Sequence, residues 1–168
     1  MTTRTAPTIL DLGCGADKQP GAWGVDVMPD LADQPMDLEE VPWPLPSDYF
    51  TLVYARQVLE HLSDPVRTMQ EIYRICHHGA LVVVSVPDGC CDGYVQDPTH
   101  RRPWNIGTFL YFCPDQWPKN WANVDYGVST RFRVLDYYIH HGEPSILGPT
   151  LRDDLRVYLQ VIKEEQQQ

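Results

Sequence analysis

Two carboxylates and a glycine turn carry the most legible chemistry in this chain. In ILDLGCG (9–15) an apolar run holding Asp11 enters a turn of Gly13, Cys14 and Gly15, and in GVDV (24–27) a second apolar run closes on Asp26. Glycines let a backbone come close to a ligand where a Cβ would intrude. A carboxylate ending the next parallel strand can grip both hydroxyls of a ribose. The pattern predicts a nucleoside-type cofactor lying across the carboxyl ends of adjacent strands; the plainer alternative is an ordinary tight turn. A dinucleotide would want G-x-G-x-x-G and a full helix N-terminus for its pyrophosphate, and the sequence offers neither here.

A second group lies in QDPTHRRPW (96–104). Asp97 and His100 could form an oriented acid–base pair, His100 taking a proton from an acceptor hydroxyl or amine. Trp104, Phe109, Tyr111 and Trp117 could wall a pocket beside it. The competing reading is a capped turn whose aromatics finish the core, and both stay open. Asp97, His100, Cys90 and Cys91 match no closed tetrahedral ligand set, so no metal is expected. The five cysteines show no paired C-x-x-C and read as reduced thiols of a cytoplasmic protein.

These groups need strands to present them. Apolar runs predict strands at 8–12, 23–27, 34–38, 50–55 and 80–87. Ten residues join the first two, interrupted by Pro20 and Gly21, so the crossover helix is expected to be one or two turns at most. VPWPLPSDYF (41–50) reads as Pro-rich loop. Ser63, Asp64 and Pro65 signal a helix start; Val66, Met69, Ile72, Tyr73 and Cys76 form its apolar face, and Gly79 is the expected stop. A further helix is expected near 106–112. Period-two runs at 131–141 and 155–163 predict strands pairing antiparallel at one edge. His77, His78, His140 and His141 fall at exposed element ends, and 163–168 should fray. Strands alternating with helices imply a doubly wound α/β sheet, mostly parallel, with an antiparallel C-terminal edge hairpin.

The bulk properties narrow the partners. A chain of 168 residues is one domain with a sizeable core, here a cofactor-binding half (8–88) and an acceptor-site loop with edge strands (89–168). Its 15 prolines are nearly twice the usual share, favouring short elements. With 13 Lys and Arg against 23 Asp and Glu, the net charge of −10 repels phosphate backbones and anionic membranes. No nucleic-acid partner is expected, and no apolar run suits a membrane span or a signal peptide.

In order, ILDLGCG, GVDV, MDLEEVPWP, VLEHLSDP and a basic helix before VVVSVP resemble a class I S-adenosylmethionine-dependent methyltransferase, of the compact, type 11-like kind and Rossmann-like in fold. The likeness covers about 8–88. Asp17 stands where that family carries a third glycine. The resemblance implies that Asp11 supports the methionyl amino group and that Gly13, Cys14 and Gly15 line the turn. Asp26 would take the ribose hydroxyls, Val27 and Met28 would pack on adenine, and Asp37 and Leu38 would read its edge and back its ring. Asp37 could equally be a turn former. Arg56 and Gln57 would lie near the sulfonium and carboxylate, Arg56 pairing with the latter or standing as a solvated arginine. Glu60 and His61 match a motif of mainly structural role.

The acceptor expected on these grounds is a small molecule, hydroxylated or sugar-like, methylated at oxygen. The chain lacks the Asn-Pro-Pro-Tyr motif of base and amide N-methylation. Only seven residues precede the first predicted strand, so the acceptor-site roof is expected from the 96–117 loop, from a second copy in a homodimer, or from a partner protein. The alternatives are a non-catalytic methyltransferase-like binding module and, more remotely, a nicotinamide-dependent oxidoreductase.

Overall fold

The computed structural model describes residues 8–116, 127–141 and 153–163. Seven strands form one sheet in the order β3-β2-β1-β4-β5-β7-β6. They are β1 (Ile9–Leu12), β2 (Trp23–Asp26), β3 (Gln34–Pro35), β4 (Phe50–Arg56), β5 (Cys76–Pro87), β6 (Phe132–His141) and β7 (Asp153–Val161). The first five run parallel, and β7 is antiparallel to both β5 and β6. This is the mostly parallel sheet with an antiparallel edge pair that the alternation of patterns predicts.

Elements depart from expectation where hydrogen bonding overrides pattern. Pro35 has no N–H to give a ladder and sits on the edge strand, where proline is tolerated, so β3 stops there rather than at residue 38. The link from β1 to β2 contains no helical turn; Gly13, Gly15 and Gly21 adopt positive φ, and the chain turns back on itself instead. Helix α1 (Pro65–Ile75) starts as predicted, with the Asp64 side chain accepting from the Arg67 amide at 3.0 Å. It ends at Ile75, not near Gly79. The amides of Asp48 and Tyr49 donate to the carbonyls of Arg74 and Ile75, and the fully buried Cys76 joins the sheet opposite Phe50. Gly79, at φ +80, lies inside β5.

The other helices are α2 (Asp92–Gln96), which the sequence did not announce, and α3 (Ile106–Leu110), capped by Asn105. Among the described residues no helix is long and apolar enough to cross a membrane. The core joins Leu10, Leu12, Val25, Val53, Val82 and Val84 of the central strands to Met69, Ile72 and Ile75 of α1. The 41–50 segment is part of it: Trp43 and Leu45 are buried. Trp104 and Phe109 are buried too, with ring centroids 4.9 Å apart. Those two finish the core rather than wall a pocket. Tyr111 packs partly buried against them, and Trp117 lies outside the described residues.

Candidate functional site

Strands β1, β2, β4 and β5 all deliver polar residues at their carboxyl ends, the place where open α/β sheets bind ligands. Asp11 is buried at the end of β1. Its Oδ2 accepts from the Gln19 amide at 2.7 Å and from Arg56 Nη2 at 3.1 Å; its Oδ1 is buried with no partner. Buried polar groups are nearly always satisfied, which sets this oxygen apart.

Gly13 (φ +60) cannot become another residue without strain, and a Cβ there would run into the Val58 side chain. Alanine in the left-handed region costs roughly 1–2 kcal/mol. We therefore expect Gly13→Ala to lower the unfolding midpoint measurably and to displace the turn; an unchanged midpoint in thermal unfolding would refute the close approach. Cys14 is buried, its thiol pointing at the Leu31 carbonyl at 3.6 Å. Burial, then the nearby charges of Asp11 and Asp26, push that thiol's pKa up, so it packs rather than reacts.

On β2, Asp26 Oδ2 accepts from the Gly15 amide and Oδ1 from the Met28 amide, both at 2.9 Å. The carboxylate thus ties the two turns together, and two of its roughly four lone-pair sites remain. Beside it Val27 and Met28 are 66% and 56% exposed, an apolar shelf at the end of β2. Asp37 is exposed and accepts from the Glu39 amide at 2.9 Å, a local Asx turn. Leu38 is buried in the core, and its carbonyl accepts from the Trp43 indole at 3.1 Å.

Arg56 is not solvated. It bridges Asp11 to Asp17, with Nη1 donating to Asp17 Oδ2 at 3.1 Å and Nη2 also to the Asp17 carbonyl. The next residue, Gln57, holds a left-handed φ of +51, a strained state that structures keep where geometry matters. Its amide donates to the Ser85 carbonyl at 2.7 Å. The side chain faces a cavity of about 620 Å³ shared with Pro87, Asp97, His100, Asp153 and Asp154.

The structure brings Asp97 and His100 together but not as an oriented hydrogen-bonded pair. His100 Nε2 stands 3.8 Å from Asp97 Oδ2, too far for a hydrogen bond. The ring is oriented instead by the Tyr94 carbonyl, 2.7 Å from Nδ1, and by stacking on Tyr94. Asp97 is engaged with the Thr99 amide and hydroxyl at 2.8 and 2.6 Å. The Thr99 hydroxyl and amide, in that order, hold its carboxyl below the usual aspartate range.

Glu60 and His61, read from sequence as structural, prove to be neighbours of His100. They lie in a 3-10 turn (Leu59–His61), and the Glu60 carbonyl accepts from the Arg101 and Arg102 amides at 2.7 and 3.1 Å. Those two bonds clamp the 97–104 loop onto the turn. Both Glu60 carboxylate oxygens are buried without a partner, and burial pushes the carboxyl up to about 7.

A family model described as a methyltransferase domain matches residues 2–138. The chain belongs to that family. Among curated proteins no sequence match is found. Solved structures with the same fold include a SAM-dependent methyltransferase from Methanosarcina mazei, 13% identical over 93% of this chain and 92% of that one (TM-score 0.63). One from Archaeoglobus fulgidus is 18% identical over 90% and 85% (TM-score 0.59). A third is a putative methyltransferase from Haloferax volcanii in complex with the Trm112 methyltransferase activator, 13% identical over 92% and 82% (TM-score 0.62).

In this methyltransferase domain only some of the expected cofactor residues come together, and Asp37 stands apart in its exposed turn. Asp11, Gly13, Gly15, Asp26, Val27 and Met28 converge on one stretch of the sheet's carboxyl edge. Cys14 and Leu38 are packed away from it, Arg56 braces it, and Gln57 belongs to the adjoining cavity. The composition of the motif around Glu60 gave no sign that His100 would fold back on it.

Proposed function

We propose that this methyltransferase domain transfers a methyl group from S-adenosylmethionine to a small hydroxylated molecule at oxygen. The observation that carries the reading is the orphaned Oδ1 of Asp11: a buried, unpaired acceptor at the end of β1 fits an ammonium group, which the methionyl end of that cofactor has. The exposed Val27 and Met28 beside the Asp26 carboxylate fit the remaining, adenosine end.

When bound, the cofactor supplies a methyl group on a cationic sulfur that needs no further activation. The chain's task is then to hold, align and exclude water. Asp11 takes the ammonium, Asp26 the two ribose hydroxyls, and Val27 and Met28 one face of adenine. Asp37 borders the ring from its exposed turn while Leu38 stays packed in the core beneath. The backbone of Gly13, Cys14 and Gly15 allows close approach, and Arg56 sets positive charge next to the carboxylate. Gln57 bridges the two halves, 8–88 for the cofactor and 89–168 for the acceptor.

The acceptor is assigned to the 620 Å³ cavity. Its carboxylates and amide suit hydroxyl donors. His100 donates through Nδ1 to Tyr94, which leaves the Nε2 lone pair for the acceptor's proton, with Asp97 as the nearby negative charge. A partner protein or a second copy completing the acceptor side belongs to the same proposal; the Haloferax neighbour is itself in complex with an activator. All five cysteines are free, which fits a cytoplasmic setting.

The test is transfer of labelled methyl from the cofactor to a pool of polyhydroxylated small molecules, comparing the protein with His100→Ala. Removing such a group costs about 10²–10⁴-fold in rate. The expected result is a fall of that order in kcat with unchanged cofactor affinity. Equal turnover by both proteins would place the acceptor elsewhere.

A further inference from the structure

We propose that Glu60, His61 and His100 form a binding site for one divalent transition-metal ion of the zinc type, set in the wall of the acceptor cavity. One donor atom from each residue lies within 4.8 Å of the others. Tetrahedral ligands at zinc-like bond lengths of roughly 2.0–2.2 Å sit about 3.3–3.6 Å apart, so side-chain rotations that draw the donors together by about 1 Å close the set.

Three observations point to an ion rather than to a polar cluster of ordinary kind. First, both Glu60 oxygens are buried and without a partner, and Glu60 itself is fully buried. An unpaired carboxylate in the interior is costly until a proton neutralises it or a cation completes it, and here two imidazoles stand ready to share such a cation.

Second, both imidazoles carry the outer support that metal-bound histidines have. His100 Nδ1 faces the Tyr94 carbonyl at 2.7 Å and must donate to it. The Thr99 hydroxyl spends its proton on Asp97 at 2.6 Å, so at 3.1 Å from His61 Nδ1 it accepts. These bonds assign both protons to Nδ1 and leave a lone pair on each Nε2. Third, the rings are brought edge to face, 4.9 Å between centroids, by the loop clamp on the Glu60 carbonyl.

Two nitrogens and one carboxylate leave coordination positions open, which is the pattern of catalytic rather than structural sites. His100, alone of the three, also lines the cavity, so an ion on its ring borders the space of the proposed acceptor. On that reading of the cavity, the ion holds an acceptor oxygen and acidifies its hydroxyl. The O–H proton then passes to water in the open cavity: with the ion bound, the His100 lone pair holds the metal instead of taking the proton itself, and loss of the ring slows transfer in either case. Binding of the ion itself does not depend on that reading.

The test uses the full chain stripped with a chelator and titrated with Zn²⁺ and Co²⁺, with no S-adenosylmethionine present. We expect one ion per chain at micromolar affinity or tighter, and a cobalt spectrum of nitrogen and oxygen ligands without thiolate charge transfer. Losing even an outer-shell partner typically costs about 10–100-fold in metal affinity, so Glu60→Gln and His61→Ala should each weaken binding at least ~100-fold. Glu60→Gln keeps the shape of a buried residue, and His61→Ala alters a half-buried ring, so the second covers failure of the first to fold. Absence of a stoichiometric ion, equal affinity in a folded variant, or a thiolate spectrum would overturn the site. Calorimetry with S-adenosylmethionine on the same samples separates the outcomes: loss of cofactor binding with the ion retained strikes only at the function.

Discussion

Asp26→Ala is expected to abolish useful binding of S-adenosylmethionine and S-adenosylhomocysteine, weakening both at least ~100-fold. Hydrogen bonds to a charged group contribute about 1.5–3 kcal/mol each, and two ribose hydroxyls lose their acceptor together. The same carboxylate accepts from the Gly15 and Met28 amides, so alanine also loosens both turns that shape the site. Asp26→Asn is the milder change: its carbonyl oxygen still accepts from one of the two amides, while its NH2 faces the other and the charge is gone. We expect asparagine to lose less thermal stability than alanine and still bind poorly. Calorimetric titration checks both variants, and affinities within a few-fold of the parent would remove Asp26 from the cofactor site.

The largest expected effect on stability belongs to Glu71. Its Oε2 accepts from the Trp43 amide and from Arg74 Nη2, both at 2.7 Å, and its Oε1 from Arg74 Nε at 2.8 Å. Arg74 in turn donates to the carbonyls of Leu45 and Trp43 at 2.9 and 3.0 Å. One ion pair thereby pins the 41–50 segment onto α1. Breaking a fully buried pair costs about 3–5 kcal/mol; Arg74 is 30% exposed, so Glu71→Ala should cost about 2–3 kcal/mol after screening. Denaturant unfolding at neutral pH measures this, and a change below about 0.5 kcal/mol, the level of an ordinary surface substitution, would contradict it.

The pair also sets a pH dependence. Burial raises the Glu71 carboxyl, but the Arg74 hydrogen bond, the Trp43 amide and the Arg74 charge outweigh it, leaving the folded-state pKa below the usual glutamate value. A depressed folded pKa means stability that is present above the unfolded pKa and lost as pH falls through the folded one. Unfolding free energy should therefore drop on acidification below the ordinary glutamate range, and Glu71→Gln should flatten that part of the curve.

The strands that carry the expected cofactor residues were readable as apolar runs, those of β1, β2 and β5 stopped by glycine, a carboxylate and proline. That local signal gave β1, β2 and β4 to within a residue at each end and the end of β5, but missed by four residues its start at Cys76. The period-two runs foretold β6 and β7 as an antiparallel pair. Long-range hydrogen bonds decided the rest. The 41–50 segment read as Pro-rich loop, which it is up to β4. Its prolines are local signals and say nothing of burial, whereas the Glu71 and Arg74 side chains that tie down Trp43 lie far along the chain. Helix α1 stops early for the same reason, its last carbonyls being taken by Asp48 and Tyr49. Arg56 showed only a charge in sequence; its bridge between Asp11 and Asp17 depends on how the first turn folds.

The acceptor side was least legible. Asp97 and His100 were found as residues but not in their arrangement, since the orienting group is a backbone carbonyl, that of Tyr94, which side-chain types cannot announce. Glu60 looked structural because nothing in its neighbourhood in sequence shows that its carboxylate is sealed from water without a partner.

We propose that the Asp11–Asp26 edge of the sheet holds an adenosyl cofactor, and calorimetric titration of the unmodified protein with S-adenosylmethionine, S-adenosylhomocysteine and NAD decides it. We expect one-to-one, micromolar binding of both adenosyl ligands and none of NAD. A folded protein that binds neither adenosyl ligand, or that prefers NAD, would contradict it.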